Sequence, residues 1–215
     1  MRKDSLIEAY ERLYDAFGPQ HWWPGDTPFE IIVGAILTQN TNWKNVEKAI
    51  ANLKRNGLLS ARRLLETHPA TLANLIRPAG YFRIKTKRLR NFLNFFCNGF
   101  GGKISALGLK ELPDLRAQLL SVNGIGPETA DSILLYALDK PVFVVDAYTK
   151  RIFSRHNMVP EETNYDEIQS LFMDNLPHKA KLFNEYHALI VRCGKDCCLT
   201  KKPRCSECPL NGWNI

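Results

Sequence analysis

The sequence predicts an all-α protein, and three observations carry that prediction. Strand signals are nearly absent across its 215 residues. Apolar side chains recur instead at helical spacing: Leu6, Ala9, Tyr10, Leu13 and Phe17 form one stripe over residues 5–17. Glycine and proline then punctuate the chain at short intervals, at Gly80, Gly101-Gly102, Gly124 and Pro141. With 45% hydrophobic and 24% charged residues, a chain of this length can bury a real core.

The elements follow in order. After the first helix, His21-Trp22-Trp23-Pro24-Gly25-Asp26 reads as a turn. Thr27 or Asp26 can cap the next helix, whose body FEIIVGAILTQ is apolar almost all round and is therefore expected to be central. Further helices are expected at 43–56, 60–67, 70–77, 85–99, 112–120, 127–138, 145–155, 164–174 and 179–194. The run KPVFVV at 140–145 has no partner strand and reads as an extended lead into the helix after it. No apolar run is long enough to cross a bilayer, and the start, MRKDSLIEAYERLYDAF, carries charges where a secretory signal needs an apolar stretch. A cytoplasmic, nucleoid-associated monomer with no membrane partner is the expectation.

The formal charge is +7, which suits a polyanion. Basic residues gather at Arg83, Lys85, Lys87, Arg88 and Arg90, and again at Lys195, Lys201, Lys202 and Arg204; two ordinary solvated faces would give the same pattern. Five of the six cysteines fall between 193 and 208. In a reducing compartment so tight a group reads as a metal site rather than a disulfide framework.

The most specific stretch is LLSVNGIGPETADSILLYAL at 119–138. Gly124-Ile125-Gly126 makes a tight turn, and Pro127 opens the next helix where its missing N–H costs nothing. Glycines let a ligand approach the backbone, and the helix start offers unpaired N–H groups, an anion site suited to a DNA phosphate. A plain helix–helix packing corner is the alternative.

At these residues the chain resembles the helix-hairpin-helix DNA glycosylases of the endonuclease III group, from Pro28-Phe29-Glu30 to Cys208. The resemblance implies two helical lobes: 28–138, holding the helix-hairpin-helix at 112–138, and 1–27 with 139–215, holding a C-terminal cysteine-cluster loop at 193–208. It also implies an enzyme of base-excision repair, acting on double-stranded DNA that contains a damaged base. Asp146, in PVFVVDAYTKRIFSRH, matches the family's catalytic aspartate. A carboxylate there would stabilise the positive charge that glycosidic cleavage leaves on the sugar, and would orient or deprotonate a water. A simple helix N-cap is the alternative role.

Bifunctional relatives carry a hairpin lysine that forms a Schiff base with the sugar; this chain has Glu128 there, and a glutamate forms no imine. A monofunctional glycosylase follows, similar to the 3-methyladenine glycosylases of the MagIII type, with which the chain shares the Trp-Trp-Pro turn, LTQNT at 37–41 and the acidic hairpin residue. Alkylated purines are then the expected substrates. A glycosylase/lyase for oxidised pyrimidines and an inactive binder of distorted DNA are the rivals. Trp22, Trp23 and Trp43 are candidates for a pocket that stacks a cationic base, or else core anchors. By the resemblance, Gln39 fills the hole left by the flipped nucleotide and Tyr81 supplies the wedge opposite. Gly124, Gly126, Lys201 and Lys202 would meet DNA.

Relatives hold a four-iron, four-sulfur cluster on C-x6-C-x2-C-x5-C. Cys198, Cys205 and Cys208 reproduce three ligands, but the fourth position is Asn214. Cys193 is the preferred substitute, with Cys197 a second candidate, because vicinal Cys197 and Cys198 cannot easily aim at one cluster. Zinc, or no metal, remains an alternative.

Overall fold

The computed structural model describes residues 2–22 and 25–213. Among them every regular element is helical. The α-helices are α1 (Arg2–Phe17), α2 (Pro28–Thr38), α3 (Trp43–Arg55), α4 (Ala61–Glu66), α5 (Pro69–Leu75), α6 (Phe82–Phe100), α7 (Ile104–Gly108), α8 (Leu112–Leu120), α9 (Pro127–Ser132), α10 (Ala147–Arg155), α11 (Tyr165–Met173) and α12 (Ala180–Asp196). Short 3-10 turns lie at Arg77–Ala79 and Cys205–Glu207, and a π-helical turn, Ile133–Ala137, continues α9. No helix among the described residues is long and apolar enough to cross a membrane. The chain parts into two compact units, Pro24–Lys140 and Met1–Trp23 with Pro141–Ile215.

In the unit Pro24–Lys140, α2 is the centre, as its all-round apolar sequence requires. It packs against α3, α6 and α9 with its π turn. Thr27 caps it, accepting a hydrogen bond from the Glu30 N–H. Glu30 itself is buried, and Lys54 of α3 offsets its charge at 2.7 Å. The buried stripe of α6 runs through Leu89, Phe92, Leu93 and Phe96, with Phe92 and Phe96 stacked at 5.6 Å.

That stripe corrects the reading of a basic surface at 83–90. Lys85 lies one turn before Leu89 on the same face and is 1% exposed. Its ammonium donates to the backbone oxygens of Leu37 (2.9 Å) and Ala79 (2.7 Å), and burial pushes its pKa down to about 8. Arg90 turns inward to the carbonyls of Leu65 and Thr67. Only Arg83 and Lys87 of the five are exposed. Two further differences are local: α6 begins at Phe82 instead of 85, and the five-residue α7 lies where no helix was expected. A single turn carries too few apolar repeats to signal itself.

In the other unit, α12 packs on α1 and α10. Phe143, Phe153, Phe172, Phe183 and Tyr186 form the core, and the Tyr186 hydroxyl donates to the Leu6 carbonyl at 2.8 Å. Val142–Val145 are buried yet form no ladder. Their backbone groups bond instead to α11 and its cap region. Gln169 donates to the Phe143 carbonyl at 2.6 Å, and the Phe143 N–H reaches Met173 Sδ. That is how an extended segment survives burial without a sheet. Close approach of α10 to α12 depends on Gly194, where a Cβ would stand 2.3 Å from Tyr148. Trp213, 1% exposed, closes the unit on Phe153 and gives its carbonyl to His156.

Candidate active site

Asp146 is the N-cap of α10. Its Oδ1 accepts from the Thr149 N–H at 2.7 Å and the Thr149 hydroxyl at 2.9 Å. The sequence alternatives, helix cap and carboxylate at a reactive position, are therefore both available to one residue, because the cap uses one oxygen only. The other, Oδ2, faces His187 Nε2 of α12 at 3.6 Å. The Asp146 side chain retains 12% exposure, enough for one edge to meet a ligand.

From the same helix, Arg151 and Arg155 grip the cysteine loop. Arg151 donates to the carbonyls of Cys198 and Gly194, and Arg155 to Leu199 O, Thr200 O and the Cys198 sulfur at 3.3 Å. Five thiols in the span 193–208 are a donor set with the number and softness that an iron–sulfur cluster needs. The sulfurs converge only in part. Cys208 stands 3.7 Å from Cys193 and also hydrogen-bonds Cys197, whose sulfur reaches the Glu207 carbonyl; Cys198 is held by Arg155, and Cys205 is exposed. Among the described residues no group of three or more His, Cys, Asp or Glu side chains is arranged to hold a metal ion. Hydrogen bonding to Cys193 brings the Cys208 thiol down to about 6, while the same contact and burial push Cys193 far up. Lys201, Lys202 and Arg204 of this loop are exposed.

The hairpin joins α8 to α9. Gly124 has φ +97°, and a Cβ there would fall 2.3 Å from Arg88 Cγ, so conformation and space both demand glycine. Gly126, the N-cap of α9, has open space where its Cβ would be, and Ile125 is buried in the core. Glu128 sits exposed in the first turn of α9, its carbonyl taken by Ser132.

Gln39, the C-cap residue of α2, is drawn onto this hairpin. Its Nε2 donates to the Gly124 carbonyl (3.0 Å) and the Thr129 hydroxyl (2.9 Å), while Arg88 donates to its Oε1. Sequence reasoning missed this tie, because nothing in the strings 37–41 and 119–138 marks their contact. Tyr81 caps α6 with φ +44° and is 68% exposed, with Ile84 also outward at 53%.

Trp43, at the start of α3, lies against Gly34 of α2 and lines a surface pocket of about 390 Å³. Asp26, Glu30, Glu47, Ile50 and Lys54 share that lining. Three carboxylates against one lysine make it acidic. Trp22 belongs to the other unit, with the Lys195 ammonium 5.6 Å over its ring. Trp23 lies outside the described residues.

The family model of the HhH-GPD superfamily of base excision DNA repair proteins matches residues 33–178, spanning the α2 core, the hairpin and Asp146. The chain belongs to this superfamily. Over 209 residues it is 50% identical to an inferred DNA repair glycosylase of Methanocaldococcus jannaschii, covering 96% of this chain and 94% of that one. To the endonuclease III of Thermotoga maritima it is 28% identical over 183 residues, 85% of this chain and 80% of the relative. Among solved structures, the Helicobacter pylori 3-methyladenine DNA glycosylase MagIII, bound to 1,N6-ethenoadenine, superposes with TM-score 0.77 at 29% identity, over 90% of this chain and 97% of that one. A non-covalent endonuclease III–DNA complex gives TM-score 0.84 at 20% identity, over 99% and 94% of the two chains, a likeness of fold. The superfamily, and the closeness to MagIII-type members, agree with the resemblance read from the sequence.

Proposed function

We propose that this superfamily member is a monofunctional DNA glycosylase that hydrolyses the N-glycosidic bond of a flipped, alkylated purine such as 3-methyladenine. The observation that carries the reading is Asp146, capped through one oxygen with the other uncommitted to the cap; a second, separate feature of the chain is a glutamate, Glu128, in the first turn of the hairpin helix. Asp146 stabilises the positive sugar and takes a proton from the attacking water. Glu128 has no amine to form an imine, so water is the nucleophile.

The acidic pocket beside Trp43 supports the substrate class. An indole face and nearby carboxylates favour a base that carries positive charge, which methylation of a purine ring nitrogen supplies. MagIII, itself solved with a modified adenine, points the same way. Duplex DNA is the partner. Gly124, Gly126 and the start of α9 hold a phosphate, Lys201 and Lys202 add exposed charge, and Tyr81 supplies the wedge. Gln39 reaches the vacated space only by giving up its bonds to Gly124 and Thr129.

A four-iron, four-sulfur cluster on Cys193, Cys198, Cys205 and Cys208 would brace the basic loop and take no part in bond cleavage. The Arg155 guanidinium, which donates to the Cys198 sulfur, could keep that bond to the ligating thiolate. Iron and acid-labile sulfide near four per chain in anaerobically prepared protein is the expected result; zinc, or no metal, would remove the cluster.

The decisive experiment incubates the protein with DNA treated with a methylating agent and with duplexes carrying single oxidised or deaminated bases. Free 3-methyladenine should appear, and borohydride should trap no covalent protein–DNA adduct. A trapped adduct overturns the monofunctional assignment. Release confined to oxidised or deaminated bases overturns the substrate class.

A further inference from the structure

The cap of α10 splits the two oxygens of Asp146 between different duties. Oδ1 is committed twice over, to the Thr149 N–H and the Thr149 hydroxyl. Oδ2 is left for chemistry, and the polar side chain facing it is His187, 3.6 Å away on α12. His187 is 4% exposed and its imidazole sits edge-on to Phe143, with ring centroids 6.4 Å apart. An ionisable ring in so apolar a place needs a reason. Burial holds it below the usual histidine pKa against the pull of Asp146, with the charge of Lys195 adding to the lowering. It is therefore neutral at physiological pH, with one ring nitrogen a donor and the other an acceptor.

We propose that His187 is a positioning residue for Asp146, presenting an Nε2–H to Oδ2 and so fixing the one carboxylate oxygen that the helix cap leaves uncommitted. The inference rests on the reading of Asp146 as the catalytic carboxylate. A carboxylate held by one oxygen still swings about its terminal bond, and the free oxygen sweeps an arc. A donor at the far side stops that motion. The gap of 3.6 Å is longer than a hydrogen bond and closes when substrate drives the groups together, as catalytic contacts do on binding. A neutral donor holds the oxygen without taking its charge, which the developing positive sugar needs. An imidazolium in its place would neutralise that charge. Arg151 and Arg155, on the same helix, are committed to the cysteine loop and do not supply this contact.

Two readouts test the proposal. The first is independent of activity: nitrogen-15 NMR of histidine-labelled protein at neutral pH. The proton should reside on Nε2, and the His187 signals should shift in Asp146→Asn. A bare Nε2 in the wild type, or no shift in the variant, overturns the proposal. The second is the single-turnover rate of base release. His187→Phe, which keeps the ring packing on Phe143, should slow release roughly hundredfold, the scale of a misplaced catalytic group, with unchanged DNA affinity. His187→Gln, whose amide can still donate, should recover most of the rate. Full activity in His187→Phe, or losses in both variants that only track lowered melting temperatures, assigns the histidine to packing and also overturns it. If the wild type releases no base from any lesion, the catalytic reading of Asp146 fails, and the NMR result still decides whether the pair exists.

Discussion

Replacing Asp146 by asparagine should slow base release by about 10²–10⁴-fold, the usual contribution of a positioned acid–base group, while DNA binding and folding stay close to wild type. The substitution is unusually clean at this position. Asparagine is as good an N-cap as aspartate, and its Oδ1 can accept the same two bonds from Thr149. What changes is the other atom: an anionic oxygen becomes a neutral NH₂. That group neither stabilises a cationic sugar nor accepts a proton from water, and it faces His187 with a donor in place of an acceptor. Alanine would be a poorer test, because it also removes the cap and costs the helix about 1 kcal/mol. The measurement is single-turnover release from methylated DNA beside an anisotropy titration of the same duplex. A variant that keeps its rate within threefold would move the chemistry to another residue. One that loses binding along with rate would show that Asp146 holds DNA.

How much of this site could be read beforehand depends on the range of each interaction. The hairpin turn was legible because its demands are local: a positive φ at Gly124 and a proline at the start of α9 write themselves into adjacent letters. At Asp146 only the helix cap was legible locally, as a small polar residue between a buried extended run and a helix; the catalytic role came from the family resemblance alone. The central place of α2 followed from its apolar composition alone. Lys85 was misassigned to a surface although its position one turn before Leu89, Phe92 and Phe96 put it on the buried stripe of α6; the periodicity was present, and the charge outweighed it in the reading. The tie of Gln39 to the hairpin and the approach of His187 to Asp146 left no comparable trace. They join residues 85 and 41 positions apart, and a lone histidine on an apolar helical face looks like any other core position. The cysteine loop falls between these cases. Its spacing announces a ligand set, but the hold of Arg155 on Cys198, across 43 residues of sequence, leaves no trace in the spacing.

The second large effect is expected in the hairpin itself. Arg116 of α8 and Asp131 of α9 form a two-pronged pair, Nε to Oδ1 at 2.8 Å and Nη2 to Oδ2 at 3.1 Å. Asp131 is fully buried, and the arginine side chain is 22% exposed. The two helices are those that the Gly124-Ile125-Gly126 turn joins, so the pair clamps the motif from its buried side. Arg116→Met should cost about 3–5 kcal/mol, because it leaves a carboxylate inside without its cation. For a chain of this size each kcal/mol lowers the melting temperature by roughly 2–4 °C, so the loss is large against a total stability of about 5–15 kcal/mol. Asp131→Leu alone strands the guanidinium, but that side chain can turn toward solvent, so the penalty should be smaller. The double variant, Arg116→Met with Asp131→Leu, should recover most of the lost stability, since no buried charge remains to be compensated. It need not recover function. A salt pair fixes direction as well as distance, and a greasy contact in its place lets α8 and α9 slide, moving the N–H groups proposed to meet a DNA phosphate. Denaturant unfolding and DNA affinity, measured on all four proteins, separate the two roles. Stability restored with affinity still weak means the pair is kept to aim the hairpin. A single Arg116→Met variant within about 1 kcal/mol of wild type, less than a buried pair should cost, would show that water reaches Asp131.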